Sequence, residues 1–317
     1  MPSIDMPVDQ LLGYKPQLTT PPDLNEFWSQ TLAELRSDPL EPQIEPIDFS
    51  PSSQAAFFLV RYQGFGGAMI SGYLARPKES REKIPCILHF HGYSGSKPFL
   101  LDLCRFTNMG WAVLSIDIRG QNGESSSTSH GDGGAVAGWL TIGIDSPQNY
   151  YYRGVYADCV RAFDLASSLS FVDETRIAAT GGSQGGALTI ATAALEPRIS
   201  AYAPDIAFLC HFRRAVEIAP DNPYQEIETY LRKRPDKEEQ VFRTLSYFDC
   251  MNLAPWLQAP GFWCVGGNDS TCPPSTTMAA YNHAGGEKKL KFYRYNYHET
   301  PEQHILAKMR WLAERLA

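Results

Sequence analysis

Arg176-Ile177-Ala178-Ala179-Thr180-Gly181-Gly182-Ser183-Gln184-Gly185-Gly186-Ala187-Leu188 passes from a short apolar run through Gly-x-Ser-x-Gly into an Ala/Leu/Ile-rich run that continues to Leu195. In that order the residues predict a strand, a sharp turn and a helix, with Ser183 at the turn. The turn is so tight that Cβ atoms beside it would collide, which is why glycines flank the serine. Its hydroxyl is thereby raised above the end of a sheet, where it can attack a carbonyl. The pentapeptide alone is weak evidence; the strand before it and the helix after it supply the context the motif requires.

Outward from this elbow the rhythm repeats. Pro85 to Phe90 and Ala112 to Ile116 read as buried strands, and Leu100 to Asn108 and Val155 to Leu169 as amphipathic helices. Pro260 to Val265 and Leu290 to Tyr295 add two strands, and Pro301 to Leu316 a last helix. Strands alternating with helices predict an α/β fold with a mainly parallel sheet covered on both faces, the α/β-hydrolase arrangement. Ala55 to Tyr62 and Ala68 to Arg76, separated by Gly64-Phe65-Gly66-Gly67, predict an antiparallel hairpin at one edge. About the first fifty residues form an N-terminal arm with a helix at Asp23 to Arg36. Between His211 and Leu253 the alternation gives way to a charged, helical insertion whose charges read as a solvated face.

The 317 residues, 43% hydrophobic and 20% charged, suit one globular domain with an embedded insertion. Net charge is -7 and there is no long Lys/Arg run, which argues against a nucleic-acid or anionic-membrane partner and for a small neutral one. The seven cysteines are odd in number, contain no Cys-x-x-Cys pair and sit in apolar runs, so they read as buried thiols. The first residues carry Asp5 and Asp9 in place of a basic and apolar leader, and no segment has the run of about 18 apolar residues of a membrane span. A cytoplasmic address is the expectation.

A serine hydroxyl needs a histidine to accept its proton and a carboxylate to fix that histidine's tautomer. Downstream of Ser183 lie His211, His283, His298 and His304. His298 is selected because it occupies the loop between the last strand and the last helix. His304 falls within a helix opened by Thr300-Pro301-Glu302-Gln303, read as a capping box, and is expected at the surface; His283, near a helix end, reads as structural. Among the carboxylates Asp205, Asp221, Asp249 and Asp269, the last is preferred because Gly266-Gly267-Asn268-Asp269 turns off the end of a buried strand. The oxyanion donors are the backbone N–H of Gln184, after the nucleophile, and of Tyr93, in His89-Phe90-His91-Gly92-Tyr93-Ser94-Gly95. His89 and His91 have no third ligand at metal-binding spacing, and no phosphate-cradling glycine motif occurs, so no metal or cofactor is expected.

Arg119-Gly120-Gln121, Gly181-Gly182-Ser183-Gln184-Gly185-Gly186 and His298-Glu299, with Tyr150 through Asp158, Tyr247-Phe248-Asp249 and Asp269 through Thr276, span most of the chain. Together they resemble carbohydrate esterase family 7, which includes acetyl xylan esterases and cephalosporin C deacetylases. The resemblance implies a triad of Ser183, Asp269 and His298, an oxyanion hole from Tyr93 and Gln184, and removal of acetyl groups from xylo-oligosaccharides and cephalosporin C. It also implies a cytoplasmic homohexamer. Arg119 is expected to tie loops through paired hydrogen bonds. One departure is Ile142, where the resemblance leads to an arginine. Rival readings are a peptidase of the same fold, which usually carries a large propeller domain, and a non-catalytic binding protein.

Overall fold

The computed structural model describes residues 4–79, 82–128 and 134–317. Helices α1 (Val8–Gly13) and α2 (Leu24–Ser37) and strand β1 (Gln43–Pro46) precede the hairpin of β2 (Ala55–Gln63) and β3 (Met69–Pro77). Then come β4 (Ile84–Phe90), α3 (Leu100–Thr107), β5 (Ala112–Ile116), α4 (Tyr151–Ser168), β6 (Val172–Gly182), α5 (Gln184–Leu195) and β7 (Ala201–Asp205). Four helices, α6 (Phe212–Ile218), α7 (Gln225–Lys233), α8 (Glu238–Ser246) and α9 (Cys250–Leu253), separate β7 from β8 (Gly261–Gly266). Helix α10 (Pro274–His283), β9 (Lys288–Tyr293) and α11 (Glu302–Arg315) close the fold.

The nine strands among the described residues form one sheet in the order β1-β2-β3-β5-β4-β6-β7-β8-β9. The six strands from β5 to β9 along this order pair in parallel, and β1, β2 and β3 add antiparallel pairs at one edge. Strand pleat sends successive side chains to opposite faces. In β4, Cys86, Leu88 and Phe90 face the core shared with α2, α4 and α5, while Ile87 faces the core with α3 and α11. Burial on both faces explains why the inner parallel strands β5 and β8 read as apolar runs, whereas the edge strand β9, KKLKFY, alternates half-buried and exposed positions.

The nucleophile, acid, base and oxyanion loop read from sequence follow β6, β8, β9 and β4, all parallel strands. They therefore meet at the carboxyl edge of the sheet, where an open α/β sheet collects its reactive groups. The N-terminal segment is bound to this framework by Trp28, a fully buried side chain whose Nε1–H donates to the Tyr247 carbonyl at 3.0 Å and whose ring stacks on Tyr156.

Two readings are corrected. Helix α11 begins at Glu302, with Pro301 as its cap residue and no side-chain cap bond, so Thr300 to Gln303 is not a capping box. His304 is fully buried rather than at the surface, stacked on Phe262 with Nε2 3.0 Å from Asp205 Oδ1. Helix α1 and strands β1 and β7 complete the framework beyond the elements read from the sequence.

Candidate active site

Ser183 has φ 58° and ψ −119°, outside the regions favoured by an L-residue. Three main-chain bonds hold it there: its N–H donates to the Asp205 carbonyl at 3.0 Å, and its carbonyl accepts from Ala187 and Phe208 at 3.1 and 3.0 Å. The flanking glycines are sterically required. A Cβ on Gly185 would run into the Phe90 carbonyl, and one on Gly181 would lie 2.5 Å from the same oxygen.

The strained turn delivers the hydroxyl to His298. His298 Nε2 lies 2.9 Å from Ser183 Oγ, and its Nδ1 lies 2.8 Å from Asp269 Oδ2. The other Asp269 oxygen accepts the N–H groups of Thr271 and Cys272 at 3.0 and 2.8 Å, so the carboxylate cannot rotate away. Side-chain exposure falls from 27% at His298 to 1% at Asp269, leaving the imidazole within reach of solvent and its partner shielded. Gln184 opens α5, in the first turn where N–H groups have no intrahelical acceptor. Gly92 brings the loop carrying Tyr93 against the elbow: a Cβ there would sit 3.9 Å from that of Ser183.

Ser183 and His298 open onto a cleft of about 810 Å³ whose walls include Tyr93, Trp139, Asn222 and Glu226. Glu226, from α7, was not singled out in the sequence. It is 6% exposed, accepts the Tyr93 hydroxyl proton on Oε1 at 2.7 Å and the Leu140 N–H on Oε2 at 3.0 Å. The Tyr93 oxygen in turn accepts the Trp139 N–H at 2.6 Å. Burial pushes the Glu226 carboxyl above its ordinary range, opposed by these hydrogen bonds.

The acetyl xylan esterase (AXE1) family profile matches residues 1–315. The chain belongs to the acetyl xylan esterase family. It is a carboxylic ester hydrolase. It is 41% identical to a solved acetyl xylan esterase from Paenibacillus sp. R4, with a TM-score of 0.96 over 98% of this chain and 100% of that one. Acetyl xylan esterase 1 from Thermoanaerobacterium sp. JW/SL YS485 is 32% identical, with a TM-score of 0.94 over 99% and 100%. Acetyl esterase Axe7A of Xylanibacter ruminicola is 28% identical over 95% of this chain and 69% of its own length.

Behind its elbow the esterase carries a buried polar network. Gln184 Oε1 accepts from Gln121 Nε2 and from the Tyr152 hydroxyl, both at 2.8 Å, and Gln184 Nε2 returns a bond to Gln121 Oε1 at 3.1 Å. Arg119 grips Asp158 with two parallel bonds of 2.6 and 2.7 Å and donates to the Phe65 carbonyl at 2.8 Å, the loop-tying role expected of it. Ile142, at the position where the resemblance leads to an arginine, packs against the main core. Glu299 is exposed, and its Oε1 accepts from Asn296 at 2.7 Å.

The remaining candidates have other duties. His91 uses Nδ1 on the Gly92 carbonyl and Nε2 on the Ile118 N–H, and His89 Nδ1 lies 2.9 Å from Ser115 Oγ. His283 Nε2 lies 2.7 Å from the Pro16 carbonyl. Asp249 accepts the N–H groups of His211, Phe212 and Met251 and caps α9. All seven cysteines are free and buried. Among the described residues two groups could offer three ligand atoms each, Asp205, Cys264 and His304, and Asp269, Cys272 and His298. In both, the carboxylate already faces nitrogen partners: Lys308 and His304 for Asp205, His298 for Asp269.

Proposed function

We propose that the esterase removes acetyl groups from small acetylated substrates such as xylo-oligosaccharides and cephalosporin C through an acetyl-enzyme intermediate. Ser183 Oγ attacks the acetyl carbonyl as His298 Nε2 takes its proton. Asp269 accepts the Nδ1–H, which fixes the productive tautomer and stabilises the imidazolium that forms. The N–H groups of Gln184 and Tyr93 receive the developing oxyanion. His298 then gives the proton to the departing alcohol, and water, deprotonated by the same imidazole, releases acetate. The observation that carries this reading is the unbroken relay from Ser183 Oγ to His298 at 2.9 Å and on to Asp269 at 2.8 Å, opening on a cleft. No step calls for a cofactor.

The acetyl preference draws its support from the names of the relatives, as does the sugar alcohol. Assembly as a homohexamer and a cytoplasmic setting are proposed from the family resemblance, and sedimentation of the full chain tests the former. Among the described residues no helix is long and apolar enough to cross a membrane.

Hydrolysis of p-nitrophenyl acetate, propionate, butyrate and octanoate, beside acetate release from acetylated xylo-oligosaccharide and cephalosporin C, tests the reading. Turnover should fall steeply beyond the short acyl chains, and Ser183→Ala should lose about a millionfold. Activity within about tenfold of wild type in Ser183→Ala would remove Ser183 as nucleophile. Faster cleavage of aminoacyl anilides than of acetyl esters would favour a peptidase, and failure of an organophosphonate to label Ser183 would favour a binding protein.

A further inference from the structure

We infer that Glu226 is a positioning residue for the reaction: it holds the Tyr93 side chain, fixes the oxyanion loop and so aims the Tyr93 N–H. This rests on the reading of Ser183 as the nucleophile of the cleft it shares with Tyr93 and Glu226. Among the described residues the Tyr93 N–H has no acceptor in the protein, as a donor kept for an oxyanion requires.

The Tyr93 side chain is held at its tip and along its ring. Its hydroxyl donates to Glu226 Oε1 at 2.7 Å and accepts the Trp139 N–H at 2.6 Å. The ring meets those of Trp139 and Phe208 edge-on, at centroid distances of 5.2 and 5.8 Å, and the Phe208 N–H holds the Ser183 carbonyl. A tyrosine side chain has only two χ angles, so fixing its ring and hydroxyl leaves its own backbone little freedom. Glu226 is fixed in turn. Its Oε2 accepts the Leu140 N–H at 3.0 Å, and a Cβ on Gly138, where φ is +116°, would collide with the carboxylate. Helix α7, the loop at Trp139 and Leu140, and the oxyanion loop therefore converge on one side chain.

The arrangement calls for a carboxylate. Both contacts to Glu226 are donors, whereas an amide of the same shape offers one acceptor and one donor group. In Glu226→Gln either the Tyr93 hydroxyl or the Leu140 N–H must lose its acceptor, and the hold on the loop slackens. An oxyanion donor acts on an atom that becomes charged only during reaction, so the loss falls on kcat and little on KM. Charge alone predicts the opposite sign: a negative group near a developing oxyanion opposes it, and its removal would speed turnover.

Glu226→Gln, Tyr93→Phe and the double variant test the inference with p-nitrophenyl acetate. Acylation and deacylation both pass through an oxyanion, so kcat reports the loop whichever step limits. In each single variant kcat should fall by at least about fivefold with KM within about twofold. The double variant should be no more than about twofold slower than the slower single, because both changes break one linkage. Inhibition by 2,2,2-trifluoroacetophenone, whose hemiketal with Ser183 places an oxyanion at the same donors, should weaken in parallel with kcat. A smaller fall in kcat, a gain in Glu226→Gln, a loss confined to KM, losses that multiply in the double variant, or undiminished ketone inhibition overturns the inference. If Glu226→Gln does not fold, Tyr93→Phe decides alone by the same kcat, KM and inhibition criteria. Failure of wild type to hydrolyse p-nitrophenyl acetate, or full activity in Ser183→Ala, would instead refute the esterase reading of the site.

Discussion

The Asp205 carbonyl accepts the Ser183 N–H at 3.0 Å, so the residue that ends β7 also pins the backbone of the strained elbow. Its carboxylate takes His304 Nε2 at 3.0 Å, Lys308 Nζ, and the Thr300 hydroxyl at 3.4 Å. Thr300 lies two residues beyond His298, and His304 and Lys308 lie on α11. A single buried aspartate therefore joins the turn carrying the serine to the segment that carries its histidine partner. Burial alone would raise the Asp205 carboxyl, but Lys308 and His304 outweigh it and hold it below the usual carboxylate range.

Asp205→Asn should therefore destabilise the fold. Removing one member of a buried ion pair leaves Lys308 charged and uncompensated, a cost of about 3–5 kcal/mol. Asp205→Asn combined with Lys308→Met should recover most of that loss in urea unfolding, because the orphaned charge is gone. If the linkage also positions the reacting groups, the double variant will remain slower in kcat with KM little altered. Full kcat in the double variant would confine Asp205 to stability.

The φ of 58° at Ser183 gives a second prediction. Ser183→Gly and Ser183→Ala should both be inactive, yet differ in stability. Glycine occupies this backbone region without the Cβ clash that serine and alanine share, so Ser183→Gly should be more stable than Ser183→Ala by about 1–3 kcal/mol. Equal unfolding midpoints for the two variants would mean that the elbow stores no strain.

Ser183, Asp269 and His298 were legible because each follows a recognisable strand in the order this fold uses, and local pattern was enough to put them at one edge of the sheet. His304 was misread for a local reason. Thr300-Pro301-Glu302-Gln303 has the spacing of a capping box, but the threonine is turned toward Asp205, a partner 95 residues earlier. Glu226 was illegible for a similar cause: its stretch is rich in solvated charges, and what distinguishes it is contact with Tyr93, 133 residues away. Strand β7 is five residues long and includes Pro204, which weakens its strand signature despite complete burial.

Gln121 supplies a third prediction. Its amide forms a reciprocal pair with that of Gln184 and also donates to the Tyr151 hydroxyl at 3.1 Å. Gln121→Leu would leave a buried Gln184 nitrogen without its acceptor, costing about 1–3 kcal/mol of stability. Because the Gln184 N–H is a proposed oxyanion donor, the same variant should lower kcat by about tenfold or more with a smaller change in KM. A loss confined to KM would place the network's influence on binding alone.

Acid stability tests His89. Burial, with help from the positive charges of Arg105 and Lys308, lowers its pKa from 6.5 to about 3. The unfolded chain therefore binds a proton that the folded protein refuses across the interval between these values, and stability must rise with pH there. The contribution is complete above about pH 7 and is lost as pH falls from 6.5 toward 3. His211, lowered to about 4 by burial, acts in the same direction. Asp249, raised by burial to about 6, acts in the opposite one, since its folded form holds the proton more tightly. A total pH profile mixes these signs, so the comparison must be between variants. His89→Asn retains a group able to bond Ser115 but cannot titrate, and should flatten the slope of unfolding free energy by about 1 kcal/mol per pH unit near pH 5. Urea titrations of both proteins across this range measure it; parallel slopes would show that His89 takes up its proton in the folded state as readily as in the unfolded chain.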